Sequence, residues 1–143
     1  MGKRNIYVAS SWRNPIHSEV VSALRKLGHS VYNFREKGGF HWSMIDPNWK
    51  NWTKEEYRFQ LLKSDLAHKG FGRDIKEMEA ADTFVGVMPF GRSASLEMGW
   101  AAGKRKETIL LLSDGEPELM VKMLDHICCD IGEVLSILKG MSI

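Results

Sequence analysis

Short apolar segments alternate with amphipathic segments along this chain, and that alternation restricts the fold more than any other feature. The segment NIYVAS at 5–10 has the β-branched and aromatic content of a strand. Residues 14–28 then carry apolar side chains at helical spacing between Pro15 and Gly28, and HSVYNF at 29–34 is strand-like again. A strand-helix-strand succession of about 30 residues predicts a right-handed crossover between parallel strands.

The alternation resumes in the second half of the chain. The pattern predicts strands at 82–90, 107–113 and 127–130, and helices at 93–104, 116–126 and 131–140. The predicted fold class is therefore α/β: a doubly wound, flavodoxin-like or Rossmann-like open parallel sheet of about five strands in a three-layer αβα arrangement. A length of 143 residues favours one domain spanning 1–143.

Residues 35–53 interrupt this pattern with a long segment that contains four aromatic side chains. Disordered segments are poor in aromatic residues, so we expect an ordered loop, of the length usually associated with function. Thr53 followed by Glu56 is a capping-box pattern. It predicts a helix at 54–68, and a second helix should follow at 70–81.

Composition excludes several classes of function. The net charge of +2 is too small to indicate binding to a nucleic acid polymer. No apolar run has the roughly 18 residues of a membrane span, and no secretory leader pattern precedes the first strand. Adjacent Cys128 and Cys129 are unsuited to a disulfide framework, so a reducing, cytoplasmic location is expected. The histidines lack metal-ligand spacing and no dinucleotide or P-loop motif occurs, so no metal or cofactor is predicted.

Ligands of doubly wound sheets bind at the carboxyl ends of the strands, which here means 10–14, the loop from Phe34 onward, and 89–97. Hydroxyl groups, an arginine fork and helix N-terminal amides suit a phosphate, and tryptophans there can stack a base or simply pack. The candidate substrate-binding residues are Ser10, Ser11, Trp12, Arg13, Trp42, Gly91, Arg92, Ser93 and Ser95.

Glu97 is a single carboxylate within a small and apolar run, SASLEMGWAAG. It could be an exposed residue that improves the helix dipole, or it could face a ligand beside the helix N-terminus. Asp74, on the preceding predicted helix, and Asp82, at the head of the central strand, are the other candidate carboxylates. Each has a surface or turn-capping interpretation as an alternative.

Three segments, IYVASSWRN, AADTFVGVMPFGRSASLEMGWAAGK and TILLL, together resemble the nucleoside 2-deoxyribosyltransferase-like superfamily, which includes deoxyribosyltransferases and nucleotide N-glycoside hydrolases. The resemblance implies that Glu97 is the catalytic nucleophile and forms a glycosyl-enzyme intermediate. It implies Asp74, or alternatively Asp82, as a second carboxyl group that assists the leaving base. It also implies a homodimer or larger homo-oligomer.

The segment PFGRSAS departs from the superfamily pattern, because Arg92 and serines stand where a base-reading aspartate is usual. An arginine beside serine hydroxyl groups suits a 5′-phosphate. We therefore expect cleavage of the N-glycosidic bond of a nucleoside 5′-monophosphate, in which the sugar is transferred either to water, releasing the base, or to a second base in exchange. The alternatives are a glycohydrolase acting on NAD or an ADP-ribose-like nucleotide, and a non-catalytic nucleotide sensor.

Overall fold

The computed structural model describes residues 2–36 and 39–140. Its strands are β1 (Asn5–Ser10), β2 (Ser30–Tyr32), β3 (Thr83–Val87), β4 (Glu107–Leu111) and β5 (His126–Cys128). Its helices are α1 (His17–Lys26), α2 (Lys54–Lys63), α3 (Asp65–Ala80), α4 (Arg92–Gly103) and α5 (Ile131–Leu138). The chain packs as two compact units, a first unit that precedes Phe34 and resumes at Met78, and a second unit, Phe34–Glu77. The assignment of 1–143 to one domain stays a prediction.

All strand pairs of the first unit are parallel, in the order β2-β1-β3-β4-β5. This is the flavodoxin-like order, in which the chain reverses its direction of winding between β1 and β3. Helices flank the sheet, so the predicted α/β fold class is confirmed. The loops that follow β1 and β3 therefore lie side by side at the switch point.

The two faces of the sheet follow from the alternation of side chains along each strand. Ile6 and Val8 of β1 join a buried apolar cluster with residues of α1 and α5. Tyr7 points to the other face, where its ring stacks on Phe84 of β3 at a centroid distance of 5.0 Å. Met98 of α4 is buried and would contact a Cβ added at Gly86, so α4 packs on this second face.

The predicted helix at 116–126 is wrong. Only a short 3₁₀ turn, Leu119–Met123, forms there, and none of its residues is buried. Gly115 has a φ of +130°, and Glu118 has extended backbone while its side chain accepts the Met120 N–H. The positive φ of Gly115 and the hydrogen bond that the Glu118 side chain accepts favour a turn here, although the apolar residues have helical spacing.

The predicted boundary near 69 between the two middle helices is also wrong. The chain turns at Ser64, which is extended and whose hydroxyl accepts the Ala67 N–H at 3.3 Å. Ser64 therefore caps the start of α3, because serine at this position satisfies an otherwise unpaired helical N–H. The periodicity of the apolar residues did not reveal this cap.

The second unit is ordered by its aromatic residues and caps. Thr53 and Glu56 form the predicted reciprocal capping box at the start of α2. The Trp42 ring packs edge-on against Trp52 and Tyr57, with centroid distances of 5.8 and 5.6 Å. Asp46 accepts hydrogen bonds from the Asn48 N–H and from Trp52 Nε1, which lower the pKa of its carboxyl group.

Among the described residues, no helix has the length and hydropathy of a membrane span.

Candidate active site

The β1–α1 loop is fixed to the end of β3 by the buried side chain of Asn14. Its Nδ2 donates to the Val87 carbonyl at 2.9 Å and its Oδ1 accepts the Ile16 N–H at 3.0 Å. The Asn14 N–H donates to the Ser11 carbonyl, which closes a turn. One amide thus holds both sides of the switch point, where doubly wound sheets bind ligands.

Ser10 ends β1 and contacts a buried histidine. Its Oγ lies 2.6 Å from His17 Nδ1, and His17 Nε2 lies 3.0 Å from Asn33 Oδ1. An amide oxygen can only accept, so Nε2 carries a proton, and in the neutral imidazole Nδ1 accepts the Ser10 hydroxyl. Ser10 is itself only 8% exposed. The hydrogen bond to His17 fixes the end of β1, and the ligand contact of Ser10 stays a prediction.

The loops after β1 and β3 approach each other at Ser11 and Gly91. A Cβ added at Gly91 would lie 3.8 Å from the Ser11 Cα and Cβ, which is ordinary van der Waals contact. The Ser11 hydroxyl accepts the Arg13 N–H at 3.2 Å. Trp12 and Arg13 follow on the exposed surface of this loop. Ser11 and Gly91, two of the predicted substrate-binding residues, thus approach each other at the switch point.

Gly91 directly precedes α4; its backbone is extended, and no side chain caps the start of the helix. Arg92, Ser93 and Ser95 are exposed on its first turn, and the Ser95 hydroxyl donates to the Gly91 carbonyl at 3.4 Å. An uncapped helix N-terminus carries a partial positive charge and presents amide donors. Together with the Arg92 guanidinium, it makes this end of α4 suited to an anion.

Glu97, in the second turn of α4, is half-buried and accepts a hydrogen bond from Tyr7. The Tyr7 hydroxyl donates to Glu97 Oε2. Tyr7 is 1% exposed and its ring is stacked between Phe84 and Tyr32, so its hydroxyl has little freedom to move. The carboxylate is thereby oriented by a rigid donor, which favours a defined chemical role over that of an exposed helix residue.

Asp82 lies at the amino ends of the strands, opposite the carboxyl ends where the switch-point loops begin. It directly precedes β3, and its carboxylate accepts the Asn5 N–H at 3.1 Å and the Thr83 hydroxyl at 2.8 Å. These bonds join the amino ends of β1 and β3. At about 3.3 Å per residue, the length of β3 separates Asp82 from the loops that surround Gly91. The geometry thus gives Asp82 a structural role.

Asp74 and Trp42 belong to the second unit. Asp74 is half-buried on α3, and Trp42 opens a 3₁₀ turn, Trp42–Met44, within the aromatic cluster of that unit. Their roles as second carboxyl group and as base-stacking residue stay predictions. No cluster of three or more potential metal ligands occurs among the described residues.

Three buried polar residues of this site escaped the sequence reasoning: Tyr7, Asn14 and His17. Tyr7 offered one signal, because the alternation in NIYVAS directs it away from Ile6 and Val8 and toward the face that a later helix must cover. Asn14 and His17 offered none, since their partners lie on other segments of the chain.

Two solved structures are similar to nearly the whole chain. The 2-deoxyribosyltransferase of Bacillus psychrosaccharolyticus is 21% identical with a TM-score of 0.68, over 90% of this chain and 88% of its own. This chain has the deoxyribosyltransferase fold. The CMP N-glycosidase BcmB of Clostridium botulinum is 16% identical with a TM-score of 0.51, over 94% and 97% of the two chains. Protein-family models and curated proteins gave no match. The resemblance inferred from sequence is thus confirmed at the level of the fold.

Proposed function

We propose that this protein cleaves the N-glycosidic bond of a nucleoside 5′-monophosphate, with Glu97 as the nucleophile. The single observation that carries the proposal is the hydrogen bond from the buried Tyr7 hydroxyl to Glu97 Oε2. The likeness to two solved structures described as a deoxyribosyltransferase and a CMP N-glycosidase supports the reaction class.

In the proposed reaction, Glu97 Oε1 attacks C1′ of the sugar while Tyr7 holds Oε2. The C1′–N bond breaks as the C1′–O bond forms, through a transition state with oxocarbenium character. The electron pair of the broken bond leaves with the base, which takes a proton from an acid; Asp74 is the candidate that the resemblance supplies. Water, or a second nucleobase, then displaces Glu97 from C1′, gives its proton to the carboxylate that the acid became in the first step, and restores the Glu97 carboxylate.

The 5′-phosphate is assigned to the N-terminal end of α4. Arg92 supplies paired N–H donors, Ser93 supplies a hydroxyl, and the first amides of α4 supply a partial positive charge. Arg13, on the adjoining loop beside Ser11 and Gly91, is a further cation near this end. A phosphate at this position would place the attached ribose along α4 toward Glu97. A homodimer or larger assembly stays a prediction.

To test this proposal, the protein is incubated with ribo- and deoxyribonucleoside 5′-monophosphates, the parent nucleosides and NAD, with and without an added second nucleobase. Chromatography then measures the free nucleobase that is released. Glu97→Gln should lower turnover at least about 10³-fold, since the amide is a poor nucleophile. Glu19→Gln, an exposed change on α1, is the matched control.

Each other outcome of this test has a defined meaning. Turnover only in the presence of a second base would identify a transferase. If nicotinamide is released from NAD and no nucleobase is released from any monophosphate, the monophosphate assignment is contradicted. Nucleotide binding without turnover, unchanged by Glu97→Gln, would contradict the proposed nucleophile and indicate a sensor.

A further inference from the structure

A cavity lies beside α4, lined by residues of the helix other than Glu97. It has a volume of about 440 Å³ and opens between the segments that follow β3 and β4. Ser95, Met98 and Gly99 of α4 line it, whereas Glu97 does not. At about 100° per residue, Glu97 projects from a different side of the helix. The cavity is therefore distinct from the Tyr7–Glu97 pair, and its volume is within the range of small-molecule sites.

The walls of this cavity are mainly apolar and rich in thioethers. Four methionines line it, together with Pro89, Phe90, Val121 and Leu124; the methionines are Met88, Met98, Met120 and Met123. Methionine side chains adapt to ligands of irregular shape and make favourable contacts with aromatic rings. This lining suits a ligand with an aromatic or branched apolar body.

The polar lining of the cavity carries one sign of charge. Asp114, Glu116 and Glu118 line it, and none of the described lining residues is basic. The Glu118 side chain accepts the Met120 N–H, while Asp114 and Glu116 are exposed beside Gly115. Like charges around one concave surface raise the local concentration of cations and repel anions. A nucleotide phosphate is thus disfavoured beside these carboxylates, whereas Arg92 and Ser93, which do not line the cavity, suit an anion.

We propose that this cavity binds a small aromatic amine. The ring packs against the methionines and Phe90, and the protonated amino group pairs with Asp114 and Glu116. The ligand's charge complements the carboxylates, and its apolar body packs against the apolar lining of the cavity. This assignment is independent of the activity proposed for Glu97.

The test uses three probes that share an indole ring: tryptamine, the neutral indole-3-ethanol, and indole-3-acetate. Calorimetry at low ionic strength should give tryptamine an affinity at least about tenfold above that of indole-3-acetate, with the difference reduced at high salt. Combined Asp114→Asn and Glu116→Gln should remove this preference and leave indole-3-ethanol unchanged. In ¹³C-methyl-methionine spectra, tryptamine should shift the four lining methionines among the eight of the chain.

A matched pair of variants locates the binding. Val121→Trp should fill the cavity and abolish tryptamine binding, whereas Leu119→Trp, at a 78% exposed position outside the lining, should preserve it. Circular dichroism verifies folding of both variants. Equal affinity for the amine and the carboxylate, or no tryptamine binding at millimolar concentration, would overturn the proposal. A change of oligomeric state by Val121→Trp would also overturn it, because a second copy of the chain would then cover the cavity.

Discussion

The Tyr7–Glu97 hydrogen bond joins residues that are 90 positions apart in the chain. Glu97 was identified from its unusual neighbours on an apolar helix, but its donor could not be, because sequence spacing carries no information about contacts between a strand and a distant helix. A candidate catalytic group can thus be proposed from a local pattern together with a family resemblance. The group that orients it is defined only by the fold.

Tyr7→Phe tests whether this donor matters to the reaction. Loss of the hydroxyl should lower kcat by about 10–100-fold with little change in KM, because the carboxylate keeps its place but loses its fixed orientation. Steady-state kinetics on the best monophosphate substrate measure the effect. Tyr57→Phe, an exposed change on α2, is the control. An unchanged kcat would rule out a positioning role for Tyr7.

Arg92→Gln tests the assignment of the 5′-phosphate. An exposed charge-assisted contact to phosphate should contribute to monophosphate binding only, so KM should rise about tenfold for the monophosphate and remain constant for the nucleoside. Arg58→Gln, in the exposed part of α2, controls for the change in net charge. Equal effects on both substrates would place the phosphate elsewhere.

His29 makes stability depend on pH. Burial, followed by the positive charge of Arg4, lowers the pKa of this imidazole, while Asp82 opposes the shift. Below pH ~6.5, His29 of the unfolded chain therefore binds a proton, whereas His29 of the folded protein stays neutral until a lower pH. The free energy of unfolding consequently falls as the pH decreases from ~6.5 through the pKa of the folded state.

The variant His29→Asn should weaken this dependence. Its Oδ1 can accept the Arg4 N–H that His29 Nδ1 accepts at 3.0 Å, but it does not titrate. Urea unfolding at pH 7 and pH 5 should show a smaller loss of stability than in the parent protein. Identical losses would mean that His29 does not contribute to the acid sensitivity.

At the scale of elements, periodicity predicted the strands and most helices, and it failed where a cap or a turn decides the structure. Strand β1 occupies the predicted 5–10, because its apolar alternation has no competitor. The segment at 116–126 has helical spacing, but the Glu118 side chain accepts the Met120 N–H and stabilises a tighter 3₁₀ turn. Ser64 ends one helix and caps the next, which periodicity alone could not distinguish from a helical serine.

Two glycines of α3 provide a matched test of packing against helix propensity. A Cβ at Gly70 would lie 2.8 Å from Phe40 Cβ, whereas nothing lies within 4 Å of one at Gly72. Gly70→Ala should therefore destabilise the protein by about 1–3 kcal/mol through overpacking. Gly72→Ala should stabilise it by about 0.5–1 kcal/mol through helix propensity. Chemical denaturation measures both, and the same sign for the two changes would contradict the packing described here.

At the scale of the whole molecule, the order of the sheet determines where chemistry can occur. The reversal of winding between β1 and β3 could be expected from the alternation of strands and helices, and it brings Ser11 beside Gly91. The division into two compact units was not expected, because the aromatic segment from Phe34 looked like a loop of one domain. Clusters of mutually packed aromatic rings are recognised only when the fold is known.

Helix α4 forms a wall of both the Glu97 site and the methionine-lined cavity. Two ligands bound to different sides of one rigid element are thermodynamically linked whenever either of them shifts that element. Linkage is reciprocal, so any factor by which an amine changes the affinity for a nucleotide equals the factor by which the nucleotide changes the affinity for the amine. An amine that shifts α4 would therefore alter nucleotide binding without contacting the nucleotide.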